Sequence, residues 1–142
     1  MIMMISTKGR YALRMMADLA EQEPDKYTPL KDIAVRQEIS QKYLESIMTM
    51  LSKSGLVDSL HGKGGGYRLN KAPEEYSVVE ILRVTETSMV PVTCLQEGAE
   101  PCSRADFCKT LPMWKKFNEI IDDYFGNITL ADIAQGNLSD KL

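Results

Sequence analysis

Ser40-Gln41-Lys42-Tyr43-Leu44-Glu45-Ser46-Ile47-Met48-Thr49-Met50-Leu51 is followed closely by Leu56-Val57-Asp58-Ser59-Leu60-His61-Gly62-Lys63-Gly64-Gly65-Gly66-Tyr67-Arg68-Leu69, and these two stretches decide the fold. In the first, Ser40 stands where a helix cap belongs, and Leu44, Ile47, Met48 and Leu51 fall at i, i+3, i+4 and i+7. Gly55 suits the left-handed position just beyond such a helix. In the second, two alternating runs flank a turn with four glycines, the pattern of a β-hairpin. A hairpin directly after a capped polar-faced helix reads as the wing of a winged helix.

Upstream, Ala12, Met15, Met16, Leu19 and Ala20 predict a helix over 8–21, with Thr7 as its cap and Pro24 just past its end. Thr28-Pro29 reads as a cap followed by proline at the first helical position, opening a short helix with Leu30, Ile33 and Ala34 inside. Only Arg36-Gln37-Glu38-Ile39 separates that helix from Ser40, so the pair forms a helix-turn-helix candidate. The exposed face of its second helix presents Gln41, Lys42, Glu45, Ser46 and Thr49, side chains of the length that reads base edges. A plain three-helix core with a solvated polar face is the competing reading of these residues. The hairpin tips the balance towards DNA. Glycine lets backbone approach phosphates, while Lys63 and a protonated His61 suit a narrow minor groove. A nucleotide-cradling loop fails on spacing, because the glycines form no G-x-G-x-x-G and no G-K-[ST] follows.

Downstream, Ser77-Val78-Val79-Glu80 is an S-x-x-E capping box opening a helix with Val78, Ile81 and Leu82 on one face. Residues 88–108 have little periodicity and hold Pro91, Gly98, Pro101 and all three cysteines. A second long helix is predicted over 112–125, about 21 Å in length, ending at Gly126 as C′. Trp114, Phe117, Ile120, Ile121, Tyr124 and Phe125 form its apolar stripe, more than one small domain covers. Its mixed-charge polar face argues for a partner helix rather than a membrane surface. Residues 129–134 suit one more short helical turn. The expected fold is mainly α with a small β-hairpin: a winged helix-turn-helix over 1–75, then 76–142 with a linker helix, a cysteine loop (88–110), a dimerisation helix (111–126) and a tail.

Composition bounds the function. A chain of 142 residues, 44% hydrophobic and 26% charged, supports its own core. No apolar run is long enough for a membrane span, and Met1-Ile2-Met3-Met4-Ile5 is too short for a signal segment. The net charge of −3 conceals a split: residues 1–70 carry ten Lys/Arg and eight Asp/Glu, residues 71–142 seven and twelve. An odd cysteine count fits a reducing compartment, hence a cytoplasmic protein. One histidine in a glycine turn, with no Ser/His/Asp or Cys/His arrangement, argues against an enzyme.

The cysteines are spaced Cys94-x7-Cys102-x5-Cys108, soft ligands suited to an iron–sulfur cluster or zinc. No C-x2-C pair is present, which disfavours a zinc ribbon. Redox-active thiols, or thiols without a role, are the other readings.

Ser6-Thr7-Lys8-Gly9-Arg10-Tyr11-Ala12, Ile39-Ser40-Gln41-Lys42-Tyr43-Leu44-Glu45 and Gly64-Gly65-Gly66-Tyr67 together resemble the Rrf2 family of winged-helix transcription regulators, which includes IscR-, NsrR- and CymR-like members. The resemblance runs through nearly the whole chain. It implies a homodimer with cross-packed long helices, in which Trp114, Phe117, Ile120, Ile121, Tyr124 and Phe125 form the interface, binding a palindromic promoter site on double-stranded DNA as a repressor or other regulator. It places Thr7, Lys8, Arg10, Tyr11, Gln41, Lys42, Glu45, Ser46, His61, Lys63 and Gly65 at the DNA, and Cys94, Cys102 and Cys108 at a cluster. The chain departs from the family pattern in several places. The first cysteine gap is seven residues where IscR-like members have five, Leu111 stands where they carry a histidine ligand, and Arg10 stands where NsrR-like members carry an aspartate. A fourth ligand would come from Glu97, Glu100, Asp106, a partner chain or a small molecule. His61 replaces the wing arginine of IscR-like members, so the target sequence is expected to differ. The CymR-like alternative is a cluster-free regulator acting with a metabolic-enzyme co-repressor.

Overall fold

The computed structural model describes residues 5–141; residues 1–4, within the stretch read as too short for a signal segment, lie outside them. Three helices come first, α1 (Thr7–Ala20), α2 (Leu30–Gln37) and α3 (Gln41–Lys53), followed by strands β1 (Val57–Leu60) and β2 (Gly66–Leu69). The strands pair antiparallel with Val57 opposite Leu69 and Leu60 opposite Gly66. Then come α4 (Val78–Thr85), α5 (Leu111–Asn127) and α6 (Leu130–Gln135). The mainly helical chain with one hairpin is the expected winged helix-turn-helix. Among the described residues no helix is long and apolar enough to cross a membrane.

Side chains cap the starts of α1, α3, α4 and α6 but not of α2 and α5, with two shifts from expectation. Ser6, not Thr7, caps α1: its Oγ accepts the Gly9 amide at 3.1 Å, and Thr7 is the first helical residue. Thr28 does not cap α2. Its backbone is spent on the wing, donating to and accepting from Tyr67 at 2.8 and 2.9 Å, so the helix opens one residue later with Pro29 as cap. Ser40 caps α3 as read, its Oγ accepting from the Tyr43 amide at 3.2 Å, and Gly55 takes a φ of 77° beyond the end. The turn between α2 and α3 uses no glycine. Glu38 adopts the left-handed conformation at φ 55°, and the Ile39 amide returns to the Ala34 carbonyl at 3.1 Å, so the two helices are joined tightly.

The core gathers Met15 and Met16 of α1, Ile33 of α2, and Leu44, Ile47, Met48 and Leu51 of α3, all fully buried. It continues past residue 75, because Tyr76, Ile81 of α4 and Leu130 of α6 belong to the same cluster. Backbone bonds bring α6 there: the Leu130 amide donates to the Tyr76 carbonyl at 2.9 Å, and the Val78 amide to the Ile128 carbonyl at 2.9 Å. These pairings also decide where α5 ends. Gly126 stays helical rather than serving as C′, and the chain leaves the helix only at Ile128, which is extended and buried at 5% exposure.

At Ser77 the capping box is half formed. Ser77 Oγ accepts the Glu80 amide at 3.2 Å, while the Glu80 carboxylate turns to Lys71 Nζ at 2.9 Å. The reciprocal box sits instead at Thr129 and Asp132, with bonds of 2.9 and 3.0 Å.

The cysteine loop has only two short 3-10 turns, Thr93–Leu95 and Ala105–Phe107. After it, α5 contains no fully buried residue. Trp114 is half-buried in the first turns of α5, and Phe125 near its end packs against Val78, Leu82 and Ile128.

Candidate nucleic-acid interface and cysteine loop

The winged unit orients its polar residues by burying their apolar neighbours. With Leu44, Ile47, Met48 and Leu51 turned inwards, Gln41, Lys42, Glu45, Ser46 and Thr49 of α3 are exposed. Ser46 and Thr49 donate to carbonyls of their own helix, those of Tyr43 and Glu45, each at 2.8 Å. Their hydroxyls therefore keep acceptor lone pairs facing outwards. Thr7, Lys8 and Arg10 are exposed at the start of α1. Tyr11 is half-buried, its ring meeting that of Tyr43 edge-on at 5.6 Å and 86°, and this contact ties the start of α1 to α3.

His61 and Lys63 are exposed on the wing. Gly65 sits inside the turn, half-buried, its amide donating to the Gly62 carbonyl at 3.0 Å. A Cβ on Gly65 would lie 2.1 Å from the Leu60 carbonyl oxygen, and one on Gly66 would lie 2.1 Å from that of Thr28. Both glycines are therefore required by the backbone. The second of them seats the wing on the start of α2.

Arg36, Arg68 and Lys71 each have a carboxylate partner, whereas Lys8, Arg10, Lys42 and Lys63, like Arg14, Lys26, Lys31 and Lys53, have none among the described residues. Lys8, Arg10, Lys42 and Lys63 are exposed, Arg10 donating to Thr7 Oγ1 at 3.2 Å, and exposed cations without a carboxylate partner are free to meet phosphate.

Two structural side chains escaped the sequence reading. Asp18 is buried at 3% exposure and accepts from Arg36 at 2.7 and 3.0 Å and from Gln37 at 2.9 Å. Its hydrogen bond, followed by its charge, holds the Arg36 guanidinium pKa above the ordinary value despite some desolvation. Arg14 adds bonds from α1 to the Gln37 side chain, at 3.2 Å, and to its carbonyl. Asp18 carried a signal, a charge inside the Met15–Met16–Leu19 stripe. Glu86 carried none: its Oε1 accepts the Ser6 amide at 2.6 Å, 80 residues away.

Cys94 and Cys102 are exposed and Cys108 is half-buried, all three as free thiols. The Cys108 thiol is held below its ordinary pKa, first by the Thr110 hydroxyl 3.4 Å away and then by the Thr110 and Leu111 amides. Among the described residues, no three His, Cys, Asp or Glu side chains stand close enough to share a metal ion. The donors have the chemistry of a cluster site, but as placed they do not fit one. An open cavity of about 500 Å³ borders the loop, lined by Arg83, Glu86, Leu95, Glu97, Asn118 and Asp122.

On α5, Met113, Phe117, Ile120 and Tyr124 are 40–53% exposed and run along one face. Trp114, Ile121 and Phe125 of the predicted stripe are half-buried against the chain itself.

A helix-turn-helix with an exposed polar face on its second helix and an attached glycine-rooted wing defines a winged-helix DNA-binding protein. The Rrf2 family model, described as iron-dependent transcriptional regulator, matches residues 5–136, and the chain belongs to that family. IscR of Erwinia tasmaniensis is 39% identical over 132 residues, 93% of this chain and 79% of that protein. The structure of CymR (YrzC), the global cysteine regulator of B. subtilis, aligns with a TM-score of 0.76 at 34% identity, covering 94% of this chain and 98% of the other. IscR of T. potens aligns with a TM-score of 0.72 at 32% identity, covering 98% and 91%. The chain is a DNA-binding transcription regulator and not an enzyme.

Proposed function

We propose that this chain is a homodimeric, sequence-specific regulator acting in the cytoplasm, whose cysteine loop senses iron–sulfur, redox or nitric-oxide status. The observation that carries the DNA reading is the exposed polar face of α3 (Gln41, Lys42, Glu45, Ser46 and Thr49) joined to a glycine-rooted wing with His61 and Lys63 exposed, while Lys8 and Arg10 are exposed at the start of α1. In this reading α3 lies in the major groove, with Gln41, Lys42, Glu45 and Ser46 at base edges, while His61 and Lys63 reach the adjacent minor groove. Two such units address half-sites about 34 Å apart on a palindrome, or a multiple of that spacing. The exposed apolar face of α5 supports the dimer, since four large side chains in one row are what a helix buries against a second copy. A specific mobility shift on the promoter region of its own gene at low salt tests the DNA reading, and its absence in both apo and reconstituted protein overturns it. Sedimentation tests the dimer, and a monomer at micromolar concentration overturns that.

For the sensor, an iron–sulfur cluster on Cys94, Cys102 and Cys108 is supported by three soft donors within one loop and by the IscR relatives. The loop must draw together to hold it, with a fourth ligand from Glu97, Glu100, Asp106 or outside the chain. A second reading is favoured by the lack of a three-donor group among the described residues and the likeness to CymR: a cluster-free regulator working through its thiols or a metabolic-enzyme co-repressor. Iron and sulfide analysis after anaerobic purification decides between them. A colourless protein that resists reconstitution leaves the cluster-free reading.

A further inference from the structure

Glu86 is where the winged unit meets the cysteine loop. It is the C-cap residue of α4, its amide donating to the Leu82 carbonyl at 2.8 Å, and the loop begins two residues later. Its carboxylate belongs to the other end of the chain. Oε1 accepts the Ser6 amide at 2.6 Å, a charge-assisted bond. Ser6 in turn caps α1 through the Gly9 amide. Gly9 is buried, and a Cβ there would lie 2.5 Å from the same Oε1. A cap, an absent side chain and a distant carboxylate thus form one lock. The first turn of α1 has no acidic residue of its own, so Glu86 supplies the negative charge that the helix start favours.

Lys8 and Arg10 share that turn and are exposed. We propose that Glu86 is a positioning residue for DNA binding: through Ser6 and Gly9 it fixes the first turn of α1, and so holds Lys8 and Arg10 against the DNA backbone. This rests on the reading of that turn as a phosphate-contacting element. It assigns the end of α4, and with it the threshold of the cysteine loop, a direct hold on the DNA-binding face.

The test is a double-mutant cycle on the full chain, with a labelled duplex covering the promoter region of its own gene and salt varied. Glu86→Ala should weaken binding roughly tenfold near 0.1 M salt and lower the slope of log affinity against log salt by about one to two, the signature of lost phosphate contacts. Lys8→Ala/Arg10→Ala should do the same in the wild-type background and cost less than about threefold when Glu86 is already alanine. Glu86→Gln keeps an acceptor for the Ser6 amide and should restore part of the affinity. Where Glu86→Ala fails to fold, Gly9→Ala carries the cycle, because its Cβ displaces the carboxylate while leaving Glu86 in place. An unchanged salt slope, or an equal Lys8/Arg10 penalty in both backgrounds, overturns the proposal and leaves Glu86 a stabilising contact only. Lys8→Ala/Arg10→Ala without effect on wild type overturns it too, while Lys42→Ala still weakening binding leaves the proposed function standing. Failure of the wild-type chain to bind sinks the proposed function itself.

Discussion

The winged unit and the cysteine loop with α5 are built to different standards of completion. In the former, α1 and α3 are capped by serines, the wing is stitched to the start of α2, and a buried carboxylate is satisfied by two neighbouring side chains. In the latter, α5 has no fully buried residue, two of three thiols are exposed, and an apolar row faces outwards. One region carries its stability internally. The other leaves an apolar row and two thiols exposed, the marks of a less tightly held region.

Equilibrium unfolding breaks or sharpens this contrast most directly. Leu44→Ala empties a fully buried site and should cost about 3 kcal/mol, whereas Ile120→Ala should cost less than about 1 kcal/mol under monomeric conditions. Any larger effect of Ile120→Ala should appear as weakened self-association in sedimentation. Equal costs at the two positions would erase the distinction.

Next in size is the Asp18 link. Arg36→Ala leaves a buried carboxylate with Gln37 as its remaining side-chain partner, and should cost about 2 kcal/mol by urea titration. The figure is discounted because the Arg36 side chain is 40% exposed.

Tyr76 gives a smaller effect with a pH signature. Its hydroxyl donates to the Leu56 carbonyl at 2.8 Å and accepts from the Asn70 and Lys71 amides, and burial pushes its pKa up. The folded state therefore keeps a proton that the unfolded state releases near pH 10, so this contribution is present below pH 10 and is lost as pH rises further. Tyr76→Phe should cost about 1 kcal/mol at neutral pH and remove that alkaline component, read by unfolding at pH 8 and pH 10.5.

The smallest expected change lies in the loop. All three cysteines should react with a maleimide in the native protein, and their modification should move the unfolding free energy by less than about 0.5 kcal/mol. A thiol protected until unfolding would show the loop to be more tightly closed than its exposure indicates.

Much of the winged unit was legible because its signals are local. Ser40, the Leu44-to-Leu51 spacing and the glycine turn each act within a few residues. Three misreadings fell where residues outside the local window intervened: Thr28 gave its backbone to Tyr67, Glu80 its carboxylate to Lys71, and the pairing at Ile128 overruled Gly126, while the cap of α1 slipped by one residue from Thr7 to Ser6. In the candidate site, the exposed residues of α3 followed from periodicity alone. The bond from Ser6 to Glu86 spans 80 residues and leaves no periodic trace, while the placement of the thiols depends on a loop with almost no regular structure.

Trp114 is the only tryptophan of the chain and lies half-buried near the start of α5, six residues after Cys108. Excited at its red edge, where tyrosine is silent, the protein emits from that region alone. The chain thus contains its own optical gauge of the half that partners and ligands are expected to alter. Emission wavelength and quenching can follow loop closure or subunit exchange in the unlabelled molecule, while the DNA-reading half stays dark.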